Sequence, residues 1–337
     1  MRLLVVIIAF IFQTTFALAT DATIALSKST TKDPFFSSLI ESETLYKANI
    51  KLTPSFVDRD EEALERVLKG TADFALVGLD AFANQKIGGD PLVASLFTRP
   101  LLFDNLSQVY LVQDTELGSA GLSDISRMGL VSLGYWNRGE LQLITKEPLS
   151  TARELKSLKI GFYEEDNVWK SNDVWLFTKL GAGNVQSLRP ADLSVAFENG
   201  SINAAVVDWP ADWLLDDKLA PAYRYASPIR PLVGMLVANS SYWHKLKEAE
   251  KRAWRQVTDA AQLVARQAIA TQAIDLRAKY QNVKMQTIPL PENKKITDLL
   301  KTGSDDDSFL LYQYNSVSNF LAASRAVQDK KKLNNQP

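Results

Sequence analysis

The sequence predicts an α/β protein of two lobes, and three features carry that prediction. Short apolar runs with strand character alternate with amphipathic stretches that stop at glycine, as at Gly70, Gly181 and Gly200. The same alternation starts afresh near residue 148. Residues 240–281 then run without Pro or Gly, long enough for one helix to cross both units.

The elements follow in order. Residues 1–19 open with Arg2, continue through the apolar run Leu3–Ile11 and end in Ala17-Leu18-Ala19. That is the pattern of a secretory signal peptide cut after Ala19, with an apolar core too short to span a membrane comfortably. A strand is expected over Ala22–Ser27, a helix around Phe35–Leu45 and a strand at Asn49–Leu52. In Glu61–Leu68 the apolar residues Ala63, Leu64, Val67 and Leu68 share one helical face, and Gly70 ends the helix. Asp73–Leu79 reads as a buried strand, and Leu92–Phe97 and Leu101–Phe103 as short apolar runs split by Arg99-Pro100. Gly129–Leu133 is a further strand, with Gly134–Gly139 as the loop at its end.

The second unit contains a capped turn at Thr151–Leu155, a strand at Leu158–Tyr163 and a helix at Val174–Leu180 closed by Gly181. A helix at Asp192–Glu198 stops at Gly200, and strands follow at Ala204–Val207 and Ile229–Val237. The lobes are therefore expected at 20–147, with a returning strand near 229–239, and at 148–228. In 240–281, Trp243, Leu246, Ala249, Ala253, Val257, Ala260 or Ala261, Val264, Ala268 and Leu276 keep helical spacing. At 1.5 Å per residue one unbroken helix here would reach about 60 Å. Its seam holds Ala where a coiled coil holds Leu and Ile, so it suits a helix lying along the backs of two lobes. Residues 282–337 form a closing segment, with a helix near Ser308–Val327 and a charged tail.

Composition excludes several functions. The 337 residues hold 38 Lys+Arg, 39 Asp+Glu, one His and no Cys. Thiolate metal sites, disulfides and cysteine nucleophiles are ruled out, and one His cannot build a multi-imidazole zinc site. The near-neutral charge argues against nucleic acid as a partner. No Gly-x-Ser-x-Gly elbow, phosphate loop or dinucleotide fingerprint occurs, and Asp305–Asp307 lacks the spacing of a calcium loop. No cofactor is expected. Glu164 and Asp208 are the best carboxylate pair for a hydrolase, but no neighbour in the sequence would shift their pKa values.

Aromatic residues gather at expected strand ends: Tyr135, Trp136, Phe162, Tyr163, Trp169, Trp209 and Trp213, with the polar Asn137, Arg138, Glu140, Glu164, Arg189 and Asp208 among them. In open α/β sheets ligands bind beyond the carboxyl ends of the strands. Apolar walls carrying a few polar groups make a ligand pocket. The alternative is that the aromatics fill ordinary core.

The segment Leu133-Gly134-Tyr135-Trp136-Asn137-Arg138-Gly139, with Leu143–Pro148 and Glu154–Ile160 after it, resembles the central motif of TRAP-transporter solute-binding proteins. These are the periplasmic receptors of tripartite ATP-independent transporters, here of the dicarboxylate-receptor type. Lys69–Ala75, Leu101–Phe103, Leu180–Ala182, Ala196–Gly200 and Ser241–Trp254 match in the same order. The likeness runs from Thr23 to about Asn319. It implies a periplasmic-binding-protein fold whose lobes close on a small organic solute and present it to the membrane subunits of a permease. The protein itself would be exported, unanchored and without catalysis.

Two departures bear on the solute. The resemblance implies a carboxylate-clamping Arg directly after Lys159-Ile160, where this chain has Gly161, and another two positions past Gly139, where it has Leu141. A guanidinium fork grips a carboxylate bidentately as no neutral group does. Two readings stay open. Arg138 or Arg189 supplies the missing charge, or Gly161 opens room for a neutral, cationic or larger solute held by Glu140, Glu164 and Asp208. A sensory or scaffold protein on the same fold, binding a protein partner, is the alternative function.

Overall fold

The computed structural model describes residues 20–82, 93–100, 102–149, 154–163, 184–209 and 229–279, with 177, 182, 223–225, 284–286 and 319. The expected signal peptide, Glu164, Trp169 and Trp213 lie outside the described residues, as do all of Val174–Leu180 except Phe177 and all of the helix expected near Ser308–Val327 except Asn319. Among the described residues no helix is long and apolar enough to cross a membrane.

The described strands are β1 (Thr20–Ser27), β2 (Ile50–Val57), β3 (Phe74–Gly78), β4 (Leu130–Thr145), β5 (Lys159–Tyr163), β6 (Asn184–Leu188), β7 (Ala204–Trp209), β8 (Tyr223–Tyr225), β9 (Arg230–Asn239) and β10 (Lys284–Gln286). The helices are α1 (Pro34–Ile40), α2 (Glu43–Lys47), α3 (Asp60–Lys69), α4 (Leu106–Gln113), α5 (Glu116–Asp124), α6 (Pro190–Glu198), α7 (Ser240–Lys245) and α8 (Glu248–Lys279). The main sheet runs β2-β1-β3-β9-β4-β7-β5-β6. Its first half is parallel, β1 pairing with β2 and β3. Its second half is parallel too, β5 pairing with β6 and β7. Two antiparallel strands, β4 and β9, join the halves. The α/β architecture of two lobes is the one expected.

Local chemistry accounts for the first half. Pro34 opens α1, and Asp33 caps it by accepting the Phe35 N–H at 2.8 Å. The expected single helix over Phe35–Leu45 is two, because Ser42 caps a new one by accepting the Leu45 N–H at 3.3 Å. β2 continues beyond the expected Leu52 to Val57, through Pro54, which its place at the sheet edge tolerates. Helix α3 ends at Gly70 with φ 70°, as the spacing predicts.

Successive strand residues go to opposite faces. Ala25, Ala75 and Val77 pack with Ala63, Leu64, Val67, Phe97 and Tyr135 on one side of the first half. Ile24, Leu26, Phe74 and Leu76 pack with Phe35, Leu39, Trp136 and Trp254 on the other. There the Phe74 and Trp254 rings stack with centroids 3.9 Å apart. The second half repeats the scheme, with Leu143, Ile160 and Val206 on one face and Ile144, Ala205 and Val207 on the other. Strands covered on both faces read as unbroken apolar runs, which is how they announce themselves in the sequence.

Two expectations are corrected. Gly134–Gly139 is no loop: it lies inside β4, whose 16 residues cross from one half of the sheet to the other. Polar residues and two β-bulges, at Ser132/Gly134 and Asn137/Gly139, hide the strand by breaking its period. Nor is 240–281 one helix. Leu246 is extended (φ −66°, ψ 142°) and separates α7 from α8, which lets Trp243 and Leu246 both reach the core. The Glu250 carboxylate then accepts the Lys247 N–H at 2.7 Å and starts α8. Helix α8 still spans the sheet: Trp254, Ala261 and Ala265 pack on the first half, Leu276 on the second.

Candidate functional site

The carboxyl ends of β1, β2 and β3 face those of β5, β6 and β7 across the two joining strands. Each side chain at this cleft is set there by a specific local feature. The bulge at Asn137/Gly139 turns β4, and Gly139 holds φ 117° within it. Arg138, between them, lies 5.1 Å from the Trp136 ring centroid and 3.9 Å from Asp60 Oδ2. Its side chain is 26% exposed. Asp60 opens α3 just beyond β2, and its Oδ2 accepts the Gly78 N–H at 2.7 Å. A Cβ on Gly78 would sit 2.9 Å from that oxygen, so a larger residue would push the Asp60 carboxylate away. Asp33, just beyond β1, also faces Arg138. Burial raises its carboxyl above the ordinary range, against the opposing pull of the Phe35 N–H and the Arg138 charge.

A second arginine stands where β9 begins. Arg230 is almost wholly buried, and its Nη1 donates to Asp80 Oδ2 at 3.1 Å, two residues beyond the end of β3. Sequence reasoning missed Asp33, Asp60, Asp80 and Arg230. The one signal was a charged residue opening the otherwise apolar run that follows Ile229.

Behind the bulge lies a buried polar group of a different kind. Asn137 and Gln113 exchange amide hydrogen bonds of 3.0 and 3.1 Å. Arg266 of α8 binds both carboxylate oxygens of Asp114, at 3.0 and 3.2 Å, and also donates to Gln113 at 3.1 Å. Burial pushes the Tyr110 phenol up to about 12, with Arg266 pulling down and Glu140 pushing up. Glu140 is itself buried and accepts from the Gln142 amide.

Of the residues named from sequence that are among the described residues, only Arg138 is brought beside these carboxylates. Trp136, Phe162 and Trp209 are core residues in three separate clusters. Asn137 and Glu140 are buried in the polar group behind the bulge. Arg189 stands at the end of edge strand β6, 77% exposed, its Nε bound to Asp192 at 2.7 Å. Asp208 is half-buried near the end of β7, opposite Leu141, and Tyr163 ends β5. Gly161 opens no room. A Cβ there would meet Ile202 and Leu193 side-chain carbons at 2.6 Å each. Leu141 is core as well. Among the described residues no cluster of three His, Asp or Glu side chains is placed to hold a metal.

Two parallel half-sheets facing each other across paired antiparallel strands, with charged groups at the junction, define a two-lobed receptor for a small solute. The chain belongs to the bacterial extracellular solute-binding proteins, family 7, whose model matches residues 26–299. It resembles a TRAP periplasmic solute-binding protein from Ochrobactrum anthropi with its own C-terminus in the ligand pocket, at a TM-score of 0.75 and 17% identity over 95% of this chain and 99% of that one. A Chromohalobacter salexigens TRAP protein with bound d-glucuronate matches at 0.67 and 14%, over 88% of this chain and 100% of that one. Among curated proteins, the C4-dicarboxylate-binding periplasmic protein DctP of Vibrio cholerae is 24% identical over 172 residues, 50% of this chain and 46% of that one. The chain spans about half the length of the curated relatives it matches. Family members are solute receptors, and the chemistry of the cleft fits that role.

Proposed function

We propose that this protein is an exported receptor that captures a small organic acid between its lobes and presents it to a TRAP-type permease. Residues 1–19 serve as its signal peptide. One lobe comprises 20–147 with the strand near 229–239, the other 148–228, except that β4 past its bulge pairs with β7 and the start of β9 pairs with that part of β4, so both belong with the second body. The 240–281 segment bridges them, and 282–337 closes the body. No cofactor takes part.

The observation that carries the reading is the position of Arg138. A guanidinium on the joining strand, partly exposed and beside Asp60 and Asp33 of the first half, offers an anion its charge while those two aspartates accept from hydroxyls. Hydrogen bonds to a charged group contribute roughly 1.5–3 kcal/mol. The glucuronate of the Chromohalobacter protein and the L-malate bound by a Pseudomonas aeruginosa TRAP protein are acids of the kind proposed.

A thermal-shift screen of the chain from residue 20 onward tests this, with malate, glucuronate and erythronate beside matched polyols and amines. An acid at a hundred times its Kd should add about 2.7 kcal/mol to stability. Arg138→Gln should weaken that acid by roughly 10- to 150-fold while leaving the fold intact. Stabilisation by amines or neutral polyols alone, or an Arg138→Gln variant that binds the acid as before, would overturn the reading.

A further inference from the structure

The bulge in β4 divides the charged groups of the cleft between two bodies. Up to the bulge, β4 is fixed to the first half of the sheet: Asn137 to Gln113 of α4, Arg138 toward Asp60 of α3. Past it, Leu141 pairs with Asp208 of β7 on one side and Arg230 of β9 on the other. The Ile229 N–H adds a bond to the Leu141 carbonyl at 2.7 Å. The backbone of Arg230 is therefore held by the second half. Its side chain nevertheless returns across the junction to Asp80, which follows β3 in the first half.

We propose that the Arg230–Asp80 pair is a tether between the lobes that favours their closed arrangement. The pair sits at the hinge, since β4 and β9 are the strands that join the halves and the bulge is where β4 turns. Arg230 is 2% exposed and Asp80 22%, so water screens the contact little and parting the two would leave a buried charge without its partner carboxylate. Rotation of one body against the other would carry Asp80 and Arg230 apart and weaken the 3.1 Å contact, which we take to belong to the closed arrangement. A protein whose closed form is scarce binds its solute more weakly in proportion, and the tether raises that population before any solute arrives. The proposal rests on the two-lobed reading of the cleft but on no particular solute.

The test uses the absence of cysteine. Ala120→Cys in α5 and Glu198→Cys in α6, both exposed and on opposite halves, give two unique spin-label sites, and pulsed electron resonance reads the distance between them without any ligand. The tethered chain should show a dominant short-distance population. Asp80→Asn, isosteric and at the more exposed partner, should lower the ratio of short to long distances by about 5- to 150-fold, the usual range for coupling between sites. The exchange Arg230→Asp with Asp80→Arg should restore part of the short population. Circular dichroism establishes that each variant is folded. Should the exchanged pair fail to fold, Asp80→Asn alone still decides the matter. A distance distribution unchanged in folded Asp80→Asn would overturn the tether. Because no solute enters the measurement, that outcome leaves the receptor reading standing, and a failed acid screen leaves the tether standing.

Discussion

Replacing Gly161 by arginine should destabilise the protein severely and create no new solute contact. Gly161 lies in β5 between Ala205 of β7 and Gln186 of β6. Its missing side chain would point at Leu193 of α6 and at Ile202, which follows that helix; both are fully buried and 2.6 Å from an ideal Cβ. Both contacts are side-chain ends, so Gly161→Ala should cost about 1 kcal/mol, the low end for an overpacked core. Arginine adds a charged head in an apolar layer, and burying an unpaired charge costs several kcal/mol more. The total exceeds about 4 kcal/mol against a usual net stability of 5–15. At roughly 2 °C per kcal/mol for a chain of this size, Gly161→Arg should melt about 8 °C or more below the parent and Gly161→Ala about 2 °C below. Circular dichroism melts, with urea midpoints as a check, read both. An arginine variant that melts within about 2 °C of the parent would refute the assignment of Gly161 to the core face. A gain in stabilisation by acids would show that the side chain enters the cleft.

Two further outcomes follow from the same geometry. Ala261 is fully buried in the interior of α8, so Ala261→Pro should lose about 3 kcal/mol or more through the missing N–H and the ring clash; a small change in the urea midpoint would mean the helix is broken there. Asp33 has its carboxyl raised by burial, so the folded form holds a proton that the unfolded chain releases. Its contribution is fullest in acid and falls as pH rises through the ordinary carboxylate range to the raised value. Asp33→Asn keeps an acceptor for the Phe35 N–H and removes that dependence. Across this range the parent should therefore lose stability relative to Asp33→Asn, and parallel urea midpoints against pH would contradict the burial argument.

What the sequence revealed is what short range determines. The α3 helix with its Gly70 stop, and the runs of β3, β7 and β9, each follow from a periodicity or a cap contained within a dozen residues. β4 escaped because two bulges reset its alternation and because Asn137 and Arg138 look like loop residues until Gln113 and Asp60 are seen beside them. The break at Leu246 escaped because no Pro or Gly marks it; burial of Trp243 and Leu246 and the Glu250 cap decide it. Arg138 was legible as a charged residue within a motif. The Arg230–Asp80 contact joins residues 150 apart, and only the meeting of β9 with the end of β3 brings them together. The aromatics at strand ends misled for a physical reason: in a sheet covered on both faces, the last residue of a strand is still core.

The two clamp positions implied by family resemblance now have a structural reason to be empty of charge. Gly161 faces the layer beneath α6, and Leu141 faces a core shared with Leu143, Ile160 and Phe162. An arginine at either would be buried among apolar side chains, so the cations described at this cleft are elsewhere. They sit instead on the strands that join the lobes, Arg138 on β4 and Arg230 on β9, each facing an aspartate at the end of a first-half element. Charge placed on a hinge is sensitive to lobe angle as charge on a wall is not, because the distance from Arg230 to Asp80 changes when the halves rotate. On the proposed reading, recognition of the solute's charge and closure of the lobes draw on neighbouring residues of the same two strands. A substitution at Asp80 should consequently alter affinity through the population of the closed form, and one at Arg138 through direct contact. Titrating both variants with one acid separates the two effects: Asp80→Asn should weaken every binding acid by a common factor, whereas Arg138→Gln should weaken each according to its own contacts.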